Sequence, residues 1–246
     1  MDLTKETSKM NSKNMTISLD SGELTVLYDC GVIQKAVLQE DSGRITFYTR
    51  DGNIFSCNIS EHVRADAVYL KTFGISIAEN GSCFLIQNWE KGLFCFALPT
   101  GELLWRSKKR HANHVVVLPD RVICWFYEQC VDALDIRSGN VLAHYPLGYA
   151  TVFLPLNDDF YLAGPKRGNY HVLDHNLEVC EAVPYQRLNP ALLDTCQIVD
   201  AVAVPGGMTI SGFDYMDDYY HEQNLLGNKG MEQYRFSRFV PLDSFQ

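Results

Sequence analysis

The chain has no long apolar run: nothing in it approaches the roughly 20 consecutive apolar residues that a membrane helix needs. Cys-x-x-Cys spacing is missing too, so the usual sequence signature of a structural zinc site is absent. Missing as well are a Gly-x-Ser-x-Gly elbow and a glycine-rich phosphate loop leading into a helix, the two commonest local marks of hydrolase and nucleotide chemistry. Basic residues are few. With 21 Lys and Arg against 30 Asp and Glu, the net charge of −9 argues against nucleic acid, whose phosphates call for clustered cations. The single basic cluster, Arg106 to His111, is short and is expected to be a solvated loop between two strands. Stretches of Ala, Glu and Lys at helical spacing are also lacking. What the chain has instead is 13 Tyr and 13 Phe among 246 residues, with 46% hydrophobic residues overall, enough for a real core built from strands.

The first fourteen residues, Met1 to Asn14, are polar and lack the apolar core of a secretory leader, so 1–14 is expected to be a disordered tail and 15–246 one domain. Most of the eight cysteines sit in apolar strand patterns such as Cys83-Phe84-Leu85-Ile86, where a reduced thiol behaves as a small core residue. That usage predicts a cytoplasmic protein. No cofactor, metal or membrane partner is expected.

Short apolar runs divided by Gly, Asp and Asn turns recur with a period near 40. The clearest unit runs from Phe73 to Arg106, with strands at 74–78, 83–87, 93–98 and 102–105. The next unit repeats that order to Ala143, and Gly101 and Gly139 stand 38 residues apart. Further units begin at Lys35, with a fourth strand expected within Val63 to Leu70, and at Thr151; three last strands lie near 198–204, 208–214 and 234–240. Four strands per unit at this period is the pattern of propeller blades. Thr16 to Tyr28 reads as a shortened third and fourth strand, so the expected fold is an all-β propeller of five blades, the last closed by the N-terminal strand. Six shorter blades and a β-sandwich are the alternatives that the pattern leaves open.

The segment Ala133-Leu134-Asp135-Ile136-Arg137-Ser138-Gly139 resembles the repeat of pyrroloquinoline-quinone-type propellers. Thr100-Gly101-Glu102-Leu103-Leu104-Trp105 supplies the Thr-Gly turn and the docking tryptophan of that repeat, and Leu173-Asp174 part of it. The resemblance implies an Asp–hydroxyl hydrogen bond inside the turn and a Trp packed between neighbouring blades. It implies architecture, not enzyme activity, because the adjacent Cys-Cys pair of the quinoprotein dehydrogenases has no counterpart here.

Three features qualify as sites. Asp200 lies inside an apolar strand and, on an innermost strand, would stand at the central channel, either as an acid–base or ligand group or as a cap on its own backbone. His114 begins another inner strand and is a second channel candidate; with His111 it has strand spacing that does not converge on a metal. The stretch containing Asp214, Tyr215, Asp217, Asp218, Tyr219, Tyr220 and His221 interrupts the last unit and suits a partner-binding loop, in which tyrosine supplies contact area and aspartate attracts a basic protein. The expected function is therefore a non-catalytic cytosolic protein-binding propeller, an inhibitor or immunity-type protein neutralising a basic partner such as a toxin. The alternatives are a channel-site enzyme or glycan binder that uses Asp200, and a scaffold subunit.

Overall fold

The computed structural model describes residues 15–20, 23–28, 31–39, 42–63, 75–88, 90–127, 129–147, 151–165, 168–190, 195–215 and 235–245. The described strands are β1 (Met15–Asp20), β2 (Glu23–Tyr28), β3 (Ile33–Gln39), β4 (Arg44–Thr49), β5 (Ile54–Asn58), β6 (Ile75–Ile77), β7 (Cys83–Asn88), β8 (Gly92–Ala97), β9 (Leu103–Arg106) and β10 (Ala112–Val117). They continue as β11 (Arg121–Phe126), β12 (Cys130–Asp135), β13 (Val141–Pro146), β14 (Thr151–Pro155), β15 (Tyr161–Pro165), β16 (Tyr170–Leu173), β17 (Val179–Val183), β18 (Thr195–Val204), β19 (Gly207–Tyr215) and β20 (Arg235–Pro241). One helical turn, α1 (Tyr185–Leu188), precedes β18.

These strands form five antiparallel sheets, each a meander of consecutive strands: β1 to β5, β6 to β9, β10 to β13, β14 to β17 and β18 to β20. That is blade topology, and the strand positions predicted from the turns fall within a few residues of those observed. Compactness divides the chain into one unit of Met1–Tyr127 with Val131–His144 and another of Glu128–Cys130 with Tyr145–Gln246. The division cuts through β12 and β13, yet the third sheet is one hydrogen-bonded piece.

In the first unit, Phe47, Phe84, Phe94 and Phe96 are fully buried with Leu24, Leu38 and Ile45. The phenylalanines stack across strands, Phe47 with Phe84 at 5.0 Å and Phe84 with Phe96 at 5.0 Å between centroids. Every residue of β7 is buried, because middle strands of a blade are covered on both faces. The second unit has its own core of Leu162, Tyr170, Val172, Met208, Ile210 and Val240.

Successive sheets of the first unit are locked by their turns. Gly139 adopts φ +69°, and a Cβ there would lie 2.6 Å from Trp105 Cδ2, so the β12–β13 turn rests directly on the indole. The Trp105 Nε1–H donates to the Ile136 carbonyl at 2.9 Å. Gly101 uses the same device against Cys57: its Cβ would stand 2.3 Å from Cys57 Cβ. Inside the β12–β13 turn, Asp135 Oδ1 accepts from the Ser138 hydroxyl at 2.7 Å and from the Ser138 and Arg137 amides. The bond from the Ser138 side chain, foremost, holds the Asp135 carboxyl below the usual carboxylate range. The docked tryptophan and the Asp–hydroxyl turn of the pyrroloquinoline-quinone-type repeat are thus both in place.

The N-terminal segment is a correction. Rather than completing the last blade, β1 and β2 form a hairpin whose second strand runs along β3, from Glu23 opposite Gln39 to Leu27 opposite Lys35. The first sheet gains a fifth strand, and the last has three among the described residues. The reason is chain entropy: only four residues separate β2 from β3, whereas closing on the last sheet would bring together segments well over 150 residues apart. Leu24 and Val26, both buried, give the hairpin the apolar face that this pairing needs. The fourth strand expected within Val63 to Leu70 and the tail Met1 to Asn14 lie outside the described residues, apart from Val63.

Candidate functional site

The two channel candidates share a local device. In β10 the register slips between Ala112 and His114, and in β18 between Ile198 and Asp200, so each candidate directly follows a β-bulge. A third bulge precedes Lys35 in β3. Bulges re-aim the following side chain, and they concentrate near functional positions. His114 lies opposite Trp125 and is half-buried, and burial lowers its imidazole to about 4, so the ring is neutral at physiological pH. Asp200 is half-buried in the middle of β18 and accepts from the Ala201 amide at 3.0 Å. His114 belongs to the first unit and Asp200 to the second, and each is a site only on its own strand. Asp214 and Tyr215 end β19, paired through the backbone with Cys196 and Thr195. Asp217, Asp218, Tyr219, Tyr220 and His221 lie outside the described residues.

A buried polar cluster is centred on Asp132, an aspartate amid apolar strand residues as Asp200 is. Asp132, in the middle of β12, is buried to 1% exposure within a run of apolar neighbours. Two basic side chains meet it. One carboxylate oxygen, Oδ2, takes an ion pair from Lys109 Nζ, and the other, Oδ1, accepts from His144 Nδ1 at 2.7 Å. An ionised carboxylate only accepts, so the His144 proton on that bond sits on Nδ1. Lys109 arrives from the basic cluster whose composition suggests a solvated loop. Its carbonyl is pinned by the Ser107 hydroxyl at 2.9 Å, and the Ser107 oxygen also accepts from the Leu93 amide. Gly92 permits this approach: a Cβ there would lie 2.1 Å from the Lys109 carbonyl oxygen. The Lys109 ammonium also stands 5.8 Å from the Phe126 ring centroid. Arg106 bonds to the Lys91 carbonyl and lies 4.9 Å over Phe94.

Taking a carboxylate to this depth costs several kcal/mol in lost hydration, roughly, and only close, hydrogen-bonded partners offset it. Lys109 and His144 supply them. Cys130, two residues earlier on β12 and so on the same face of the strand, completes a group in which one thiol, one carboxylate and one imidazole donor all lie within 4.8 Å of one another. Sulfur, oxygen and nitrogen donors at that spacing are the ligand chemistry of a borderline divalent metal.

Among the described residues, the outer strand of the same sheet is open. β13 is the last strand in its sheet's order, and all six of its residues are exposed or half-exposed. Val141 and Leu142 are 55% and 50% exposed. Among the described residues, no helix is long and apolar enough to cross a membrane.

The chain matches no protein-family model, and no curated protein matches it. Among solved structures it is similar to BamB from Moraxella catarrhalis, with 12% sequence identity over 83% of this chain and 69% of that one and a TM-score of 0.45. At that identity the likeness carries nothing about what this chain binds.

Proposed function

We propose that this chain is a non-catalytic protein-binding module whose contact surface includes the open edge of β13. The observation that carries this reading is the edge itself. An outer strand with its backbone donors and acceptors unpaired on one side is the template for strand addition by a partner, and soluble proteins ordinarily blunt such edges with charge. β13 is not blunted: it carries two adjacent large aliphatic residues and no lysine or acid, with only Pro146 at its far end. The net charge of −9 favours a basic partner through electrostatic steering.

The finer reading follows from that charge. The protein acts in the cytosol as an inhibitor of immunity type that covers a basic effector, and the acidic, tyrosine-rich stretch from Asp214 to His221 supplies a second contact. The test is affinity capture from native lysate at low salt, with the tagged chain and its Leu142→Glu variant compared side by side. A basic protein held by the parent chain, released by salt and lost with the variant supports the proposal. Equal retention by both chains, or no retained protein, overturns it.

A further inference from the structure

We propose that Cys130, Asp132 and His144 form a binding site for a zinc-type divalent cation. The site shares His144 with β13 but does not depend on the edge contact.

The donor set is the first ground. Thiolate and imidazole together select zinc and its neighbours over magnesium or calcium, which take oxygen ligands, and a carboxylate completes three protein donors. The geometry is the second. Around a tetrahedral zinc with bonds of roughly 2.0–2.3 Å, donors stand about 3.3–3.6 Å apart. Here Asp132 Oδ1 and His144 Nδ1 are 2.7 Å apart, and all three donors fall within 4.8 Å, so shifts of about 1 Å bring them onto one ion. His144 can make that shift, because it is half-exposed on an outer strand. Cys130 and Asp132 are held on a buried central strand and supply the fixed part of the site.

Lys109 sets the character of the site. It occupies Asp132 Oδ2, leaving Oδ1 for a single metal bond, and its charge offsets that of the second carboxylate oxygen. On binding, the ion takes the place of the Nδ1 proton between His144 and Asp132, that proton passes through solvent to Nε2, and the Cys130 proton is released to solvent. No bond to carbon forms or breaks, and no redox partner is needed. The fourth position opens towards water on the side of His144, so the ion would hold a water molecule or a donor from a bound partner.

The experiment uses the full chain, reduced with a phosphine and freed of metal. Zinc is titrated in competition with a chromogenic chelator, and cobalt is then added as a spectroscopic probe. The proposal predicts one zinc per chain, at least tenfold weaker binding in His144→Ala and in Cys130→Ser, and a thiolate-to-cobalt charge-transfer band that Cys130→Ser abolishes. Cys180, an exposed thiol, is the control: Cys180→Ser keeps the band. Absence of zinc binding, unchanged binding in His144→Ala, or loss of the band in Cys180→Ser overturns the proposal. Because His144 is half-exposed, its variant folds and decides the matter even where Cys130→Ser does not fold.

Discussion

Replacing Gly139 with alanine would measure how firmly one blade rests on the next. Two costs are separable. The residue sits at φ +69°, where a Cβ costs about 1 kcal/mol or somewhat more. The new methyl would also lie 2.6 Å from Trp105 Cδ2 and 2.8 Å from Cε3 and Cγ, all within a buried contact. To reach ordinary separation the indole must retreat by nearly 1 Å, roughly, an overpacking cost of about 2 kcal/mol. That retreat pulls Nε1 away from the Ile136 carbonyl, now 2.9 Å distant, and forfeits about 1 kcal/mol more. The expected loss is about 4 kcal/mol in all. Gly52→Ala isolates the backbone part, since Gly52 has φ +89° in the same unit and a methyl there would meet nothing within 4 Å; it should lose only about 1 kcal/mol. Urea unfolding followed by far-ultraviolet circular dichroism would report both variants. If Gly139→Ala falls within about 0.5 kcal/mol of Gly52→Ala, the turn does not dock as described.

Lys109→Met should destabilise the chain by about 3 kcal/mol in the same unfolding assay, because it leaves a buried carboxylate with one of its two partners. Lys35→Met, which loses only a contact 5.3 Å above Tyr48, should cost less than about 1 kcal/mol, and a Lys109→Met loss no larger would refute the buried pairing. His114 predicts a pH effect: its folded value near 4 lies below the ordinary 6.5, so between those values the unfolded chain binds a proton that the native one does not. Its contribution is therefore full above pH 6.5 and falls, by on the order of 3 kcal/mol, as pH drops to 4. The drop in urea midpoint from pH 7 to pH 5 should be smaller in His114→Gln than in the parent, and an identical drop in both would count against the neutral ring.

Local patterns made most of the blades legible. Gly101 and Gly139, the Asp135–Ser138 turn and Trp105 are encoded in short local motifs, and the structure keeps their roles. Pairing over distance was harder to read. Thr16–Tyr28 carries the repeat's Leu-Asp and Ser-Gly, and sequence alone does not weigh a four-residue connection against closure at the far end of the chain. The polar cluster shows the same limit. An aspartate amid apolar strand residues marks Asp200, and Asp132 carries the identical signal. What the sequence could not show is that Lys109, 23 residues away, leaves its basic run to meet that aspartate, since the approach depends on the missing side chain of Gly92.

The binding role stands or falls on β13. Hydrogen–deuterium exchange, measured on the chain alone and saturated with its captured partner, reads the amides of that strand directly. Strand addition predicts slowed exchange across Val141 to Tyr145 on binding, with the β3–β4 hairpin unchanged. Unaltered exchange in β13 while the partner is bound would contradict it.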